Sequence, residues 1–171
     1  MSIADRRTSR TVVLGLGNPL MGDDGFGLAA LQRLRDEWTF DPAVELVDGG
    51  TWGMNLLPII EDAARLLLLD AIDVGAPSGT LVILERGSLP MRLSTKLSPH
   101  QIDVREVLAL AELRGTLPAD TVAIGMQPGQ VEMSTELSAA VEERMPHVVE
   151  AAVDRLQSWG HTARALSAVH A

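Results

Sequence analysis

Thr11-Val-Val-Leu-Gly-Leu-Gly17 is a short apolar run with β-branched residues that ends in glycine, the pattern of a strand buried on both faces. A glycine-rich turn follows it. From Gly25 to about Trp38, apolar residues fall at Phe26, Ala29, Ala30, Leu34 and Trp38, the three-to-four spacing of an amphipathic helix. Val44-Glu-Leu-Val47 predicts a second strand closed by Asp48-Gly-Gly-Thr51, and Met54 to Ala64 predicts a helix with Pro58 near its first turn. Leu66 to Asp70 predicts a third strand. Thr80-Leu-Val-Ile-Leu84 follows a turn rich in Gly75, Pro77 and Gly79, too short for a helical crossover, so this fourth strand is expected to pair antiparallel at a sheet edge.

The stretch from Arg86 to Pro99 lacks periodicity and reads as a loop long enough to be functional. A helix is expected from Pro99 to about Leu113, a fifth strand over Thr121 to Gly125, and a closing helix over Leu137 to Leu156, disturbed at Pro146. Alternation of this kind predicts an α/β fold: a single-domain three-layer sandwich with a mostly parallel, five-stranded twisted sheet, helices on both faces and one antiparallel edge strand. The expected organisation is a flexible leader over 1–10, the α/β domain over 11–158 and a frayed tail over 159–171.

Composition narrows the function classes. The 171 residues, 46% hydrophobic, suit one core, since a domain of this length buries roughly two-thirds of its unfolded surface. A formal charge of −9 disfavours a nucleic-acid partner. With no cysteine there is neither a disulfide framework nor a thiolate metal site, which fits a cytoplasmic protein. The adjacent Arg6 and Arg7 precede an apolar stretch too short for an export signal, and no membrane segment is expected.

Ligands in doubly wound folds bind beyond the carboxyl ends of the parallel strands, which directs attention to Gly17 to Gly27, Asp48 to Thr51, Asp70 to Asp73 and Ser98 to Gln101. Asp23 and Asp24 open the first helix, where one N-cap position cannot occupy both side chains. Asp70 ends a run of leucines and so stands at the boundary between core and cleft. Ser98-Pro99-His100-Gln101 has the form of a capping box, for which His100 is not needed, and the positive helix end biases that imidazole towards its neutral, metal-binding form. His147, His161 and His170 have weaker claims. Asp24, Asp70 and His100 could together hold a divalent metal with a position left open, or act without a resident metal. There is no HExxH helix, Gly-x-Ser-x-Gly elbow or cysteine nucleophile. Gly15-Leu-Gly17-Asn18-Pro19 lacks the third glycine of a dinucleotide fingerprint, and Asp23-Asp24 places negative charge where a pyrophosphate would sit.

Taken together, Gly15-x-Gly-Asn18, Gly22-Asp-Asp-Gly-Phe-Gly27, Asp48-Gly-Gly-Thr51, Asp70-Ala-Ile72 and Ser98-Pro-His-Gln101 resemble the maturation endopeptidases of [NiFe] hydrogenases over about residues 11 to 156. Gln127-Pro128 and Glu132 look like that family's later segment, whereas Met133-Ser134-Thr135 is a less typical continuation. The resemblance implies an endopeptidase that removes the C-terminal extension of a hydrogenase large-subunit precursor after nickel insertion. It places the family's metal-contacting acid, second acid and histidine on Asp24, Asp70 and His100, as catalytic and nickel-contacting residues. Asn18, Asp48, Gly49, Gly50 and Thr51 would guide the peptide. Nickel would come with the substrate, no organic cofactor is expected, and the enzyme would act as a monomer.

Gly-Leu-Gly-Asn-Pro also resembles the start of peptidyl-tRNA hydrolases, but those continue with a tyrosine and a Thr-Arg-His-Asn motif, and this chain has no tyrosine. A third reading is a non-enzymatic, nickel-checking chaperone of the precursor.

Overall fold

The computed structural model describes residues 10–50, 52–91 and 104–167. Its elements in chain order are β1 (Thr11–Leu16), α1 (Phe26–Glu37), β2 (Trp38–Asp41), β3 (Glu45–Gly50), α2 (Leu57–Asp62), β4 (Arg65–Ala71), β5 (Leu81–Glu85), α3 (Val104–Leu113), β6 (Asp120–Met126), α4 (Ala139–Ser158) and β7 (Thr162–Ala165). Five strands form the main sheet in the order β3-β1-β4-β6-β5. All its neighbours pair in parallel except β5, which runs antiparallel to β6 at the edge, as the short 75–79 turn predicts.

The leucine run shows why the sheet is sandwiched. Successive side chains of a strand point to opposite faces, so Leu66 and Leu68 enter one core with α2 and α3, while Leu67 and Leu69 enter the other with α1 and α4. Both faces of β4 are therefore dry. Only helices long enough to cover each face can satisfy such a strand, and α1 and α4 do so through Phe26, Leu31, Leu34, Val148, Val149 and Leu156.

Several expected boundaries differ. The helix over Met54 to Ala64 is a 3-10 turn at Gly53–Leu56 leading into α2, with Pro58 in the first turn, where its missing N–H costs nothing. Pro146 does not interrupt α4, a helix of 20 residues that runs through it because Met145, Val148, Val149, Ala152 and Val153 bury one continuous face. Trp38 matches the helical spacing but starts β2 instead. The 3-10 stretch Arg86–Met91 opens the expected loop, and the rest of that loop and the start of the Pro99 helix lie outside the described residues.

The expected fraying after residue 158 is overturned at Thr162 to Ala165, which pair antiparallel with Trp38 to Asp41 in a second, two-stranded sheet. Trp38, Phe40, Trp159 and Ala163 pack as a satellite of the main core, and this burial orders the segment. His161 locks it. Its Nδ1 lies 2.7 Å from the Pro42 carbonyl oxygen, which can only accept, so Nδ1 carries the proton and Nε2 accepts from the buried Thr11 hydroxyl at 2.9 Å. His161→Leu leaves both partners unpaired, and a loss of about 2 kcal/mol is expected, read as a lower urea midpoint with an unchanged slope. An unchanged midpoint would show that these bonds contribute nothing net.

Candidate active site at the carboxyl edge of the sheet

The site begins with backbone sterics. After β1 the chain must reverse sharply into α1, and Gly17 allows it with φ +112°, where any Cβ would collide with the Asp24 carbonyl oxygen. Gly27, in the first turn of α1, presses directly on β4 and β1: a Cβ there would collide with the carbonyl oxygens of Leu69 and Leu16. The 3-10 turn Gly22–Gly25, which carries both Asp23 and Asp24, is thereby brought into contact with β4, the strand that ends near Asp70.

Asp24 is half-buried, and its Oδ2 accepts the Asn18 backbone N–H at 2.9 Å. The Asn18 side-chain oxygen in turn accepts the Leu20 N–H at 3.0 Å, an Asx turn that fixes the loop. Asp70 is buried at the end of β4, paired in register with Gly125 of β6. Strand alternation points its side chain to the face covered by α2 and α3. His100 and Thr51 lie outside the described residues. The helix four residues beyond His100, α3, packs on that same face through Val104, Val107 and Leu108.

Among the described residues no group of three His, Cys, Asp or Glu side chains is gathered closely enough to hold a metal ion. The expected trio includes a member outside them. Of the remaining expected positions, Asp48 is exposed, Gly49 is buried, and the Gly50 carbonyl accepts the Gly17 N–H at 3.1 Å, which ties the loop after β3 to the glycine turn.

Asp23 is the residue whose role the sequence conceals. It makes no side-chain cap bond to its helix. Instead its fully buried carboxylate accepts the backbone N–H groups of Gly129 and Gln130 at 2.8 Å each and of Ser138 at 2.7 Å, and the Ser138 hydroxyl at 2.8 Å. Burial pushes this carboxyl up, but the bonds from Gln130, Ser138 and Gly129 outweigh it and hold it below the usual carboxylate range. The backbone continues the fastening: Asp23 N–H donates to the Gln130 carbonyl, Gly22 N–H to that of Ser134, and Ser134 N–H to that of Leu20.

Gln127 fastens the other end of this loop. Its side-chain oxygen accepts the N–H groups of Val74 and Ala76, and its amide donates to Asp73 Oδ1 at 2.9 Å. With the Gly75 N–H, this bond holds the Asp73 carboxyl below its usual range. Asp73, expected to be merely solvated, is exposed yet committed to its turn.

Two aspartates, Asp70 at the end of β4 and Asp24 in the turn that packs against that strand with a fixed backbone donor, are groups that can accept a proton from water or contact a cation. Comparison with known proteins identifies the family. The family model for HycI, a hydrogenase maturation protease, matches residues 28–155. The hydrogenase expression/formation protein HoxM of Cupriavidus necator is 43% identical over 155 residues, covering 87% of this chain and 75% of HoxM. The hydrogenase 2 maturation protease of Escherichia coli is 32% identical over 163 residues, covering 94% of this chain and 99% of that one. The solved structure of the hydrogenase maturating endopeptidase HybD from E. coli superposes with a TM-score of 0.86 at 31% identity, covering 93% of this chain and 99% of HybD. A peptidyl-tRNA hydrolase and a non-enzymatic chaperone are both set aside, and the chain belongs to the hydrogenase maturation protease family, as a hydrolase of peptide bonds.

Proposed function

We propose that this enzyme removes the C-terminal extension of a [NiFe] hydrogenase large-subunit precursor after nickel insertion, and that the nickel carried by the substrate is what the site recognises. The observation that supports this reading best is that Asp70 stands at the carboxyl end of β4 while Asp24 is carried by the 3-10 turn that follows the adjacent strand β1 and packs against β4. The two carboxylates contact the substrate's nickel or take the proton of the attacking water, and His100, by the family resemblance, is the third contact. Water adds its oxygen to the scissile carbonyl carbon, the C–N bond breaks, and the departing amine takes a proton. The loop from Asp48 to Thr51, together with Asn18, lines the path of the extended peptide. The reaction belongs to the cytoplasm, where a cysteine-free chain acts as a monomer on a newly assembled precursor.

Specificity for the metal-loaded state follows from the donor set. Two carboxylates and one imidazole include no soft donor, so a resident transition metal is held weakly, and the substrate's own ion completes the encounter. Intact-mass spectrometry on nickel-loaded and nickel-free precursor, each mixed with chelator-treated enzyme, is expected to show shortening of the loaded precursor alone. Equal shortening of both would sink the nickel dependence, and cleavage restored only by zinc added to the enzyme would mark a resident catalytic metal.

A further inference from the structure

Five of the large hydrophobic side chains exposed among the described residues sit in the segments that follow strands at the carboxyl edge of the sheet: Leu20, Trp52, Val131 and Met133 on loops and Met54 in the 3-10 turn Gly53–Leu56. Single exposed apolar residues are ordinary, but a group that rims one functional edge marks a contact surface. Met133 is 89% exposed, Leu20 59% and Val131 46%. Their positions are fixed rather than accidental. Met21 and Ser134 form a parallel bridge, so Leu20 and Met133, each one residue earlier, fall on the same face of that bridge. Asp23, through Gly129 and Gln130, fixes the backbone immediately before Val131.

This rim is continuous with the candidate site. Asp24 Oδ2 accepts from Asn18, the Asn18 side chain accepts from Leu20, and the Leu20 carbonyl accepts from Ser134, so an unbroken chain of hydrogen bonds joins the carboxylate to the apolar lip. On the other side the Gly17–Gly50 bond brings up the loop that carries Trp52, 56% exposed. We infer that Leu20, Val131 and Met133 form a docking lip for an apolar patch on the folded body of the protein substrate, beside the segment to be cut. Resting on the proposed function, this inference makes substrate choice a matter of surface contact outside the reacting atoms, with Asp23 as the positioning residue that keeps the lip aligned with Asp24.

Steady-state cleavage of the nickel-loaded precursor tests it. Met133→Glu combined with Leu20→Ala is expected to raise KM by about tenfold or more while kcat at saturating precursor stays near wild type, the mark of lost uniform binding. Leu113→Glu is the control: equally exposed at 85%, it ends α3 at the opposite edge of the sheet and leaves KM unchanged. Circular dichroism of each variant checks that the fold persists. If wild-type enzyme does not cut the precursor, the proposed function fails. If it cuts and the lip variant shows an unaltered KM, or light scattering shows two copies of the chain joined through the lip, the docking inference alone is overturned.

Discussion

Asp70→Asn is expected to lower the rate of precursor shortening by about 10²- to 10⁴-fold, the range for loss of a positioned proton acceptor. The amide copies the size and planarity of the carboxylate but cannot accept the proton of water or contribute charge to a cation. Its effect on the fold is expected to be small, because the position ends β4 and the β4–β6 ladder is made by backbone groups that the substitution leaves alone. His100→Ala is the companion variant, since the resemblance places His100 in the same site. Circular dichroism and the cleavage assay decide the matter together. If both variants remain folded and process precursor at the wild-type rate, the chemistry lies elsewhere.

Asp23→Ala acts on stability instead. It removes the shared acceptor of three backbone N–H groups and one hydroxyl, and each buried donor left without a partner costs about 1–3 kcal/mol. Water reaches part of this loop, so a total loss of about 3–5 kcal/mol is expected, a large share of a typical domain's stability. Urea unfolding reads it as a lowered midpoint. The acid limb gives an independent check on the wild type. Because the folded carboxyl is held below its ordinary value, its contribution is complete above about pH 4 and is lost as pH falls through the lowered folded value. Asp23→Asn removes that titration and should flatten the decline. Identical acid limbs for wild type and Asp23→Asn would show that the bonds from Gly129, Gln130 and Ser138 do not favour the charged form.

The main sheet was legible because the runs at 12–16, 66–69 and 121–125 are too apolar for anything but doubly covered strands, and because the 75–79 turn leaves no room for a crossover. The carboxyl-edge rule then placed Asp24 and Asp70 on one side without knowledge of their contacts. The β2–β7 pair was not legible, since Trp38 satisfies the helical period of α1 equally well and the pairing partner lies more than a hundred residues away. Asp23 was hidden for a related reason. An Asp before a helix has a local explanation as a cap, whereas its actual partners, Gly129, Gln130 and Ser138, are backbone donors whose identity leaves no mark in the side-chain pattern. A Ser at 138, opening a long helix, was the one local clue that something polar met that end.

The glycines of the carboxyl edge constrain how such an enzyme can diversify. At Gly27 and Gly125 the contact is main chain against main chain: a Cβ would strike the carbonyl oxygen of Leu69 in the first case and of Asp70 in the second. Spacing between helix and strands is therefore set by atoms that every residue shares, and no exchange of one side-chain volume for another can retune it. The carboxylate frame is rigid to mutation in a way an ordinary packed core is not, because a core can trade one apolar residue for another of similar size. Variation in what is recognised is thus channelled outward, to exposed positions such as Leu20 and Met133 that can change without disturbing the frame beneath them. Within one scaffold, the chemistry stays fixed while the choice of partner remains free to drift.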